Sequence, residues 1–210
     1  EFSFRIMLEQ INTMVMTQCS DKGLRYECKV IGGVSDYYIG DDMKLKQVLI
    51  NILSNAIKFT DAPGAVSLTV ERTAVFEGQT TIRFVISDTG IGIREEEMGK
   101  LFEKFRRLDL NKNKSVEGSG LGLAITHQLL THMNGTINVE SEYGKGTTFH
   151  VSIPQKIVES APIGDFGSRS AKLRENYNKP TEHFTAIDAR ILVVDDTPLN
   201  LMVIKELLKR

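Results

Sequence analysis

The chain has 210 residues, 41% hydrophobic and 25% charged, with 26 Lys and Arg against 27 Asp and Glu for a formal net charge of −1. This is globular composition. It excludes a disordered tail, a collagen and a disulfide scaffold, and it offers no basic excess for a large nucleic-acid face. Two cysteines, Cys19 and Cys28, cannot build a metal cage and are most simply read as thiols in a reducing compartment; no apolar run approaches the roughly 18 residues of a membrane span, and no signal peptide opens the chain.

Residues 4 to 16 carry Phe4, Met7, Leu8, Ile11, Met14 and Val15 at helical spacing. Lys22-Gly23 should end that helix, after which Leu24, Tyr26, Cys28 and Val30 alternate as a strand. Asp41 and Asp42 are N-cap candidates for a second helix with the stripe Leu45, Val48, Leu49, Ile52, Leu53 and Ala56. Strands are expected over 65–75 and 80–88, a short helix around 95–103, a helix over 120–133, and a closing hairpin of 136–141 and 147–153 turned at Tyr143-Gly144-Lys145-Gly146. The order predicts an α/β sandwich with a mixed sheet. Periodicity is lost over 155–189, where Pro162, Gly164, Gly167, Asn176 and Pro180 mark a linker. It resumes at Ile191-Leu192-Val193-Val194, followed by Asp195-Asp196 and a helical tail from Leu199 to Leu208. Starting at Glu1 and stopping inside that amphipathic tail, the sequence reads as a piece of a longer protein.

Four features carry chemistry. On the second helix, Asn51, Asn55 and Lys58 fall within about 60° of one another, two carboxamides and an ammonium beside the apolar stripe; alone, such a face also fits plain solvation. Asp88 closes an apolar strand and is followed by Gly90 and Gly92. A strand-end carboxylate can accept from an exocyclic amine and glycine permits close approach, but the pattern equally fits a capped tight turn. Gly118, Gly120 and Gly122 open a helix whose unpaired N–H groups make an anion site. Their spacing is neither the dinucleotide fingerprint nor a Walker loop, and by itself it fits a hinge as well. The loop before them holds Lys104, Arg106, Arg107, Lys112 and Lys114 against Asp109 and Glu117, a local +3 that suits a lid over polyphosphate or a solvated loop.

Taken in order, these features resemble one family, the ATP-binding catalytic domain of sensor histidine kinases, within the group shared with gyrase, the 90-kDa heat-shock chaperone and mismatch-repair ATPases. N-I-L-S-N-A-I-K-F-T resembles the N box, D-T-G-I-G-I the first glycine box, L-F-E-K-F the F box, G-S-G-L-G-L the second glycine box, and G-K-G-T-T-F the closing strand. The resemblance covers roughly residues 1–155. It implies a two-layer α/β (α+β) sandwich whose mixed, largely antiparallel sheet is covered on one face by helices. It implies ATP and Mg²⁺ as cofactors. By position, Asn55 would be the Mg²⁺ ligand, Asn51 and Lys58 would face the phosphates, and Asp88 would bind the adenine amine with Gly90 and Gly92 admitting the ring. Thr147 would reach adenine through a water. Gly118, Gly120, Leu121 and Gly122 would shape the hinge and phosphate contact. Phe102, Phe105, Arg106, Lys112 and Lys114 would belong to the lid. Where hydrolytic relatives carry a water-activating Glu stands Asn51, a neutral amide that cannot act as a general base.

The tail A-R-I-L-V-V-D-D-T-P-L-N resembles the start of a response-regulator receiver domain, whose Mg²⁺ pair would be Asp195 and Asp196. The implied organisation is a catalytic domain over 1–155, a linker over 156–189 and a truncated receiver over 190–210, with the tail expected to pack on a neighbouring surface. The family's phosphoacceptor His is not found: His127, His132, His150 and His183 lack its context, and His127 and His132 are expected to be structural. The implied parent is a cytoplasmic or membrane-anchored homodimeric hybrid kinase whose partners are its own His-bearing dimerisation domain and receiver. The alternatives are an ATPase module of the gyrase or chaperone class and a nucleotide-free docking module.

Overall fold

The computed structural model describes residues 1–76, 78–103, 120–158 and 162–163. Expectations placed on Lys104, Phe105, Arg106, Lys112, Lys114, Gly118, Asp195 and Asp196, and on the tail as a whole, lie outside the described residues. The elements are β1 (Phe2–Ser3), α1 (Phe4–Lys22), β2 (Arg25–Ile31), β3 (Tyr37–Ile39), α2 (Asp42–Lys58), β4 (Ala65–Phe76), β5 (Gln79–Asp88), α3 (Glu95–Met98), α4 (Gly122–His132), β6 (Thr136–Glu142) and β7 (Gly146–Ile157).

The two long helices start where side chains supply a cap. Ser3 accepts from the Ile6 N–H at the head of α1, and Asp41 accepts from the Lys44 N–H at the head of α2. Gly23, at φ +73°, closes α1 in the left-handed conformation. That helix ends at Lys22-Gly23 as expected, with Cys19 continuing the stripe one turn beyond Val15 among polar neighbours, and both are buried.

Among the described residues seven strands form one sheet in the order β1-β3-β7-β5-β4-β2, with β6 pairing beside β3 along the same edge of β7. Only β2 and β4 are parallel, and the crossover between them carries α2, as a parallel pair requires. One face buries Val66, Leu68, Val70, Ile82, Phe84, Ile86, Phe149, Val151 and Ile153. Against it lie Leu8, Ile11 and Val15 of α1, Val48, Leu49 and Ile52 of α2, and Leu130 of α4. The opposite face carries polar pairs such as Ser87–Thr148 at 2.9 Å and Arg83–His150 at 3.1 Å. The architecture is therefore the expected two-layer sandwich with a mixed, largely antiparallel sheet.

Three local differences have physical causes. β1 and β3 are absent from the sequence reading because two and three residues cannot show an alternation; β3 is held instead by Tyr38, fully buried, edge-on to Phe4 and accepting from the Ser35 N–H. The helix expected over 95–103 is a single turn ending at Gly99, after which Leu101 is buried without helical backbone. β7 extends to Ile157, and Pro162 and Ile163 then return to bridge Ser35 and bond Val34, burying Ile163. Cys19 and Cys28 are free thiols, pushed by burial up to about 11 and about 12.

Candidate functional site

The site starts from the C-terminal half of α2. Ile52, Leu53 and Ala56 point into the core, which leaves Asn51, Asn55 and Lys58 half-buried on the adjoining face. The last carbonyls of a helix need partners, and here they have them. Lys22, from the end of α1, donates through Nζ to the carbonyls of Ile57 and Lys58, both at 2.8 Å. Thr60 donates to the Ala56 carbonyl, and the Phe59 N–H to that of Asn55. Asn51 donates its amide to the Gly122 carbonyl and to Thr126 Oγ1 of α4, each at 3.4 Å, long and therefore weak contacts.

Asp88 ends β5, paired across the sheet with Val66 on one side and Thr147 on the other. It is 9% exposed, and its Oδ1 accepts from the Gly90 N–H at 2.8 Å. Burial pushes this carboxyl above its ordinary range; N–H groups of Gly90 and Thr147 act in the opposite sense. The loop that follows is pressed between two backbones. A Cβ on Gly90 would run into the carbonyl of Phe59, which accepts from the Ile91 N–H, and a Cβ on Gly92, at φ +66°, would run into that of Glu142. Contacts within the protein thus require both glycines, a reason the sequence reading did not contain.

The β6–β7 turn completes this end of the sheet. Gly144 N–H donates to the Ile91 carbonyl at 2.7 Å, and the Arg94 guanidinium lies 4.0 Å from the centre of the Tyr143 ring. Ser141 Oγ accepts from the Ile93 N–H, donates to the Gly146 carbonyl and meets Thr147 Oγ1. Thr89 Oγ1 accepts from the Ala65 N–H. The sequence reading missed Lys22, Thr89 and Ser141. Ser141 had a visible signal, since it continues the half-buried row Ile137 and Val139 of β6 with a hydroxyl.

At the start of α4, Leu121 holds the N-cap position without a side-chain hydrogen bond to the helix, and Gly120 has φ +70°. The N-cap side chain therefore occupies none of the first helical N–H groups, which suits anion binding. Phe102 packs its ring 5.3 Å from that of His127. His127 and His132 are both exposed, so a structural role for His127 rests on this ring contact rather than on a place in the core.

The structure thus brings Asp88, Gly90, Gly92 and Thr147 together at one end of the sheet, with the end of α2 touching the same loop, and joins Asn51 to the first turns of α4. The donor set fits Mg²⁺ in one way. Among the described residues no group of three or more His, Cys, Asp or Glu could hold a metal, whereas Mg²⁺ commonly keeps its waters and takes one or two protein oxygens plus substrate phosphates. The half-buried Asn55 would offer one amide oxygen to such an ion.

Comparison with known proteins agrees with this geometry. The family described as "Histidine kinase-, DNA gyrase B-, and HSP90-like ATPase" matches residues 40–157. The signal transduction histidine-protein kinase BarA of Escherichia coli K12 is 33% identical over 206 residues, 96% of this chain and 22% of BarA. The circadian input-output histidine kinase CikA of Synechococcus elongatus is 48% identical over 121 residues, 58% of this chain and 15% of CikA. The crystal structure of full-length ShkA in complex with AMPPNP superposes with a TM-score of 0.60 at 30% identity, over 75% of this chain and 32% of that one. The catalytic domain of histidine kinase ThkA, at 24% identity and a TM-score of 0.59 over 73% of this chain and 93% of its own, shares the fold. The chain spans at most about a third of the BarA, CikA and ShkA chains. It belongs to the family of histidine kinase-, DNA gyrase B- and HSP90-like ATPases.

Proposed function

We propose that this chain is the ATP- and Mg²⁺-binding catalytic module of a hybrid sensor histidine kinase, supplying a γ-phosphoryl group to a His on a dimerisation domain. The observation that carries the reading is the buried pair Asp88 and Thr147 at the sheet end; the start of α4, whose N-cap side chain makes no hydrogen bond to the helix, is held to α2 through Asn51. Acceptors at a dry strand end suit a base amine, and free N–H groups suit phosphate.

The roles follow from position. Asp88 accepts the adenine amine, and Thr147 reaches the ring through a water. Gly90 and Gly92 bring the loop backbone close to it. Asn51 and Lys58 face the phosphates, with Gly118, Gly120, Leu121 and Gly122 forming their cradle and hinge. Phe102 and Phe105 anchor the lid, and Arg106, Lys112 and Lys114 add its positive charge. Asn55 holds Mg²⁺, which when bound neutralises charge between the phosphates. Asn51 bears no carboxylate to activate water, so the module favours transfer over hydrolysis. Asp195 and Asp196 belong to a receiver that would bind Mg²⁺ only when whole. The full protein is a homodimer that phosphorylates its own His and passes the group to a receiver. This module works on the cytoplasmic side; among its described residues no helix is long and apolar enough to cross a membrane.

Titration with a fluorescent ATP analogue and Mg²⁺ tests the reading. Saturable binding lost in Asp88→Ala supports it; no binding, or binding indifferent to that change, refutes it. Steady ATP turnover by the chain alone, abolished in Asn51→Ala, would favour a gyrase- or chaperone-class ATPase instead.

A further inference from the structure

Three residues form a polar row across adjacent strands at the sheet end. Ser141 of β6 pairs directly with Thr147 of β7, and Thr147 pairs directly with Asp88 of β5. Ser141 Oγ has three partners: the Ile93 N–H at 2.8 Å, the Gly146 carbonyl at 2.9 Å and Thr147 Oγ1 at 2.9 Å.

Proton counting orders this row. A hydroxyl carries one proton and two lone pairs. The Ile93 N–H can only donate, so it occupies one lone pair of Ser141. The Gly146 carbonyl can only accept, so it takes the single Ser141 proton. The contact with Thr147 then has one direction: the Thr147 O–H donates to the remaining Ser141 lone pair. Its proton is thereby turned away from Asp88, and Thr147 offers the space beyond it lone pairs only. The Asp88 side chain is likewise an acceptor, taking the Gly90 N–H at Oδ1. A water held between these two acceptors gives each of them one proton and turns its lone pairs to the ligand, which favours a ligand edge that brings hydrogens and repels one that brings a carbonyl oxygen.

We infer that Ser141 is a specificity-determining positioning residue: by fixing the direction of the Thr147 hydroxyl it makes the site choose a 6-amino purine over a 6-oxo purine. This rests on the nucleotide reading of the site given above. Without Ser141 the Thr147 proton is free to turn toward that water, which then keeps a proton of its own for a 6-oxo group as readily as a lone pair for a 6-amino group. Discrimination falls, while the Asp88 contribution stays.

The test uses the whole chain with Mg²⁺, measuring dissociation constants for ATP and for inosine triphosphate by displacement of a fluorescent ATP analogue. The expected result is an ATP preference in the unmodified chain that shrinks about tenfold in Ser141→Ala, the value of one net hydrogen bond, and is retained in Ser141→Thr. Ser141→Cys fills the same space with a weak donor and acceptor and should lose the preference too, which keeps the test open where the alanine variant folds poorly. Equal weakening of both nucleotides, or an unchanged preference in the alanine and cysteine variants, overturns the role of Ser141 and leaves the nucleotide reading standing. Failure of the unmodified chain to bind either nucleotide overturns both.

Discussion

Lys22 sits at the end of a helix that touches no proposed ligand, yet it holds the end of the one that does. Lys22→Met keeps the aliphatic stem and removes the ammonium that bonds the Ile57 and Lys58 carbonyls, both at 2.8 Å. A hydrogen bond to a charged group contributes about 1.5–3 kcal/mol, and a cation in a last helical turn adds about 0.3–1 kcal/mol. The ammonium is half-buried, so a combined loss of about 2 kcal/mol is expected once solvent screening is counted. For a domain of this size about 2–4 °C is lost per kcal/mol, a fall in Tm of about 4–8 °C. Scanning calorimetry of the nucleotide-free chain measures it, and Lys22→Arg should recover part of the loss. The consequence reaches the site, because the next carbonyl, that of Phe59, receives the Ile91 N–H of the glycine loop; ATP affinity should fall along with Tm. A Tm within about 1 °C of the unmodified chain would mean that the carbonyls find equivalent partners in water, and the capping argument would be wrong.

Other outcomes follow from the same geometry. Asp88→Asn should separate stability from binding. Because burial raises the Asp88 pKa, the folded chain holds more protons than the unfolded one between the ordinary carboxylate value and the raised one. Stability of the nucleotide-free chain therefore falls as pH rises through that window and stays lowered above it. The Asn variant should melt higher at neutral pH, while ATP affinity drops at least about tenfold through loss of a charge-assisted bond; a variant melting lower would contradict the burial argument. Gly146→Ala places a Cβ against the Asp88 carbonyl at φ +128°, and denaturant titration should show a loss of about 1–3 kcal/mol. Phe102→Ala removes the ring contact with His127 and should cost about 0.5–1.5 kcal/mol beyond lost burial, read from a double-mutant cycle with His127→Ala.

Elements long enough to repeat were legible in the residues. The apolar stripes of α1 and α2 and the alternation of β5 and β7 announced a helix layer over a mixed sheet, and Asp41 was visible as a cap. So was the local set of chemistry-bearing residues, since Asn51, Asn55 and Lys58 share a helix face by periodicity alone. Elements without a period were not legible: β1 and β3 are made by their neighbours, and α3 stops at Gly99 whatever its acidic start suggests.

Tertiary structure decided which backbones meet. No local pattern places Lys22 beneath the end of α2, since it lies 35 and 36 positions from the two carbonyls it joins. Nor does any local pattern show that Gly90 and Gly92 are required by the carbonyls of Phe59 and Glu142. The direction of the Thr147 proton is likewise set by a strand pairing and by a loop N–H from Ile93. Periodicity reports which side of an element is apolar, because burial acts on each side chain separately. Hydrogen-bond direction and close backbone approach depend on pairs of groups far apart in the chain, and only the fold brings those pairs together.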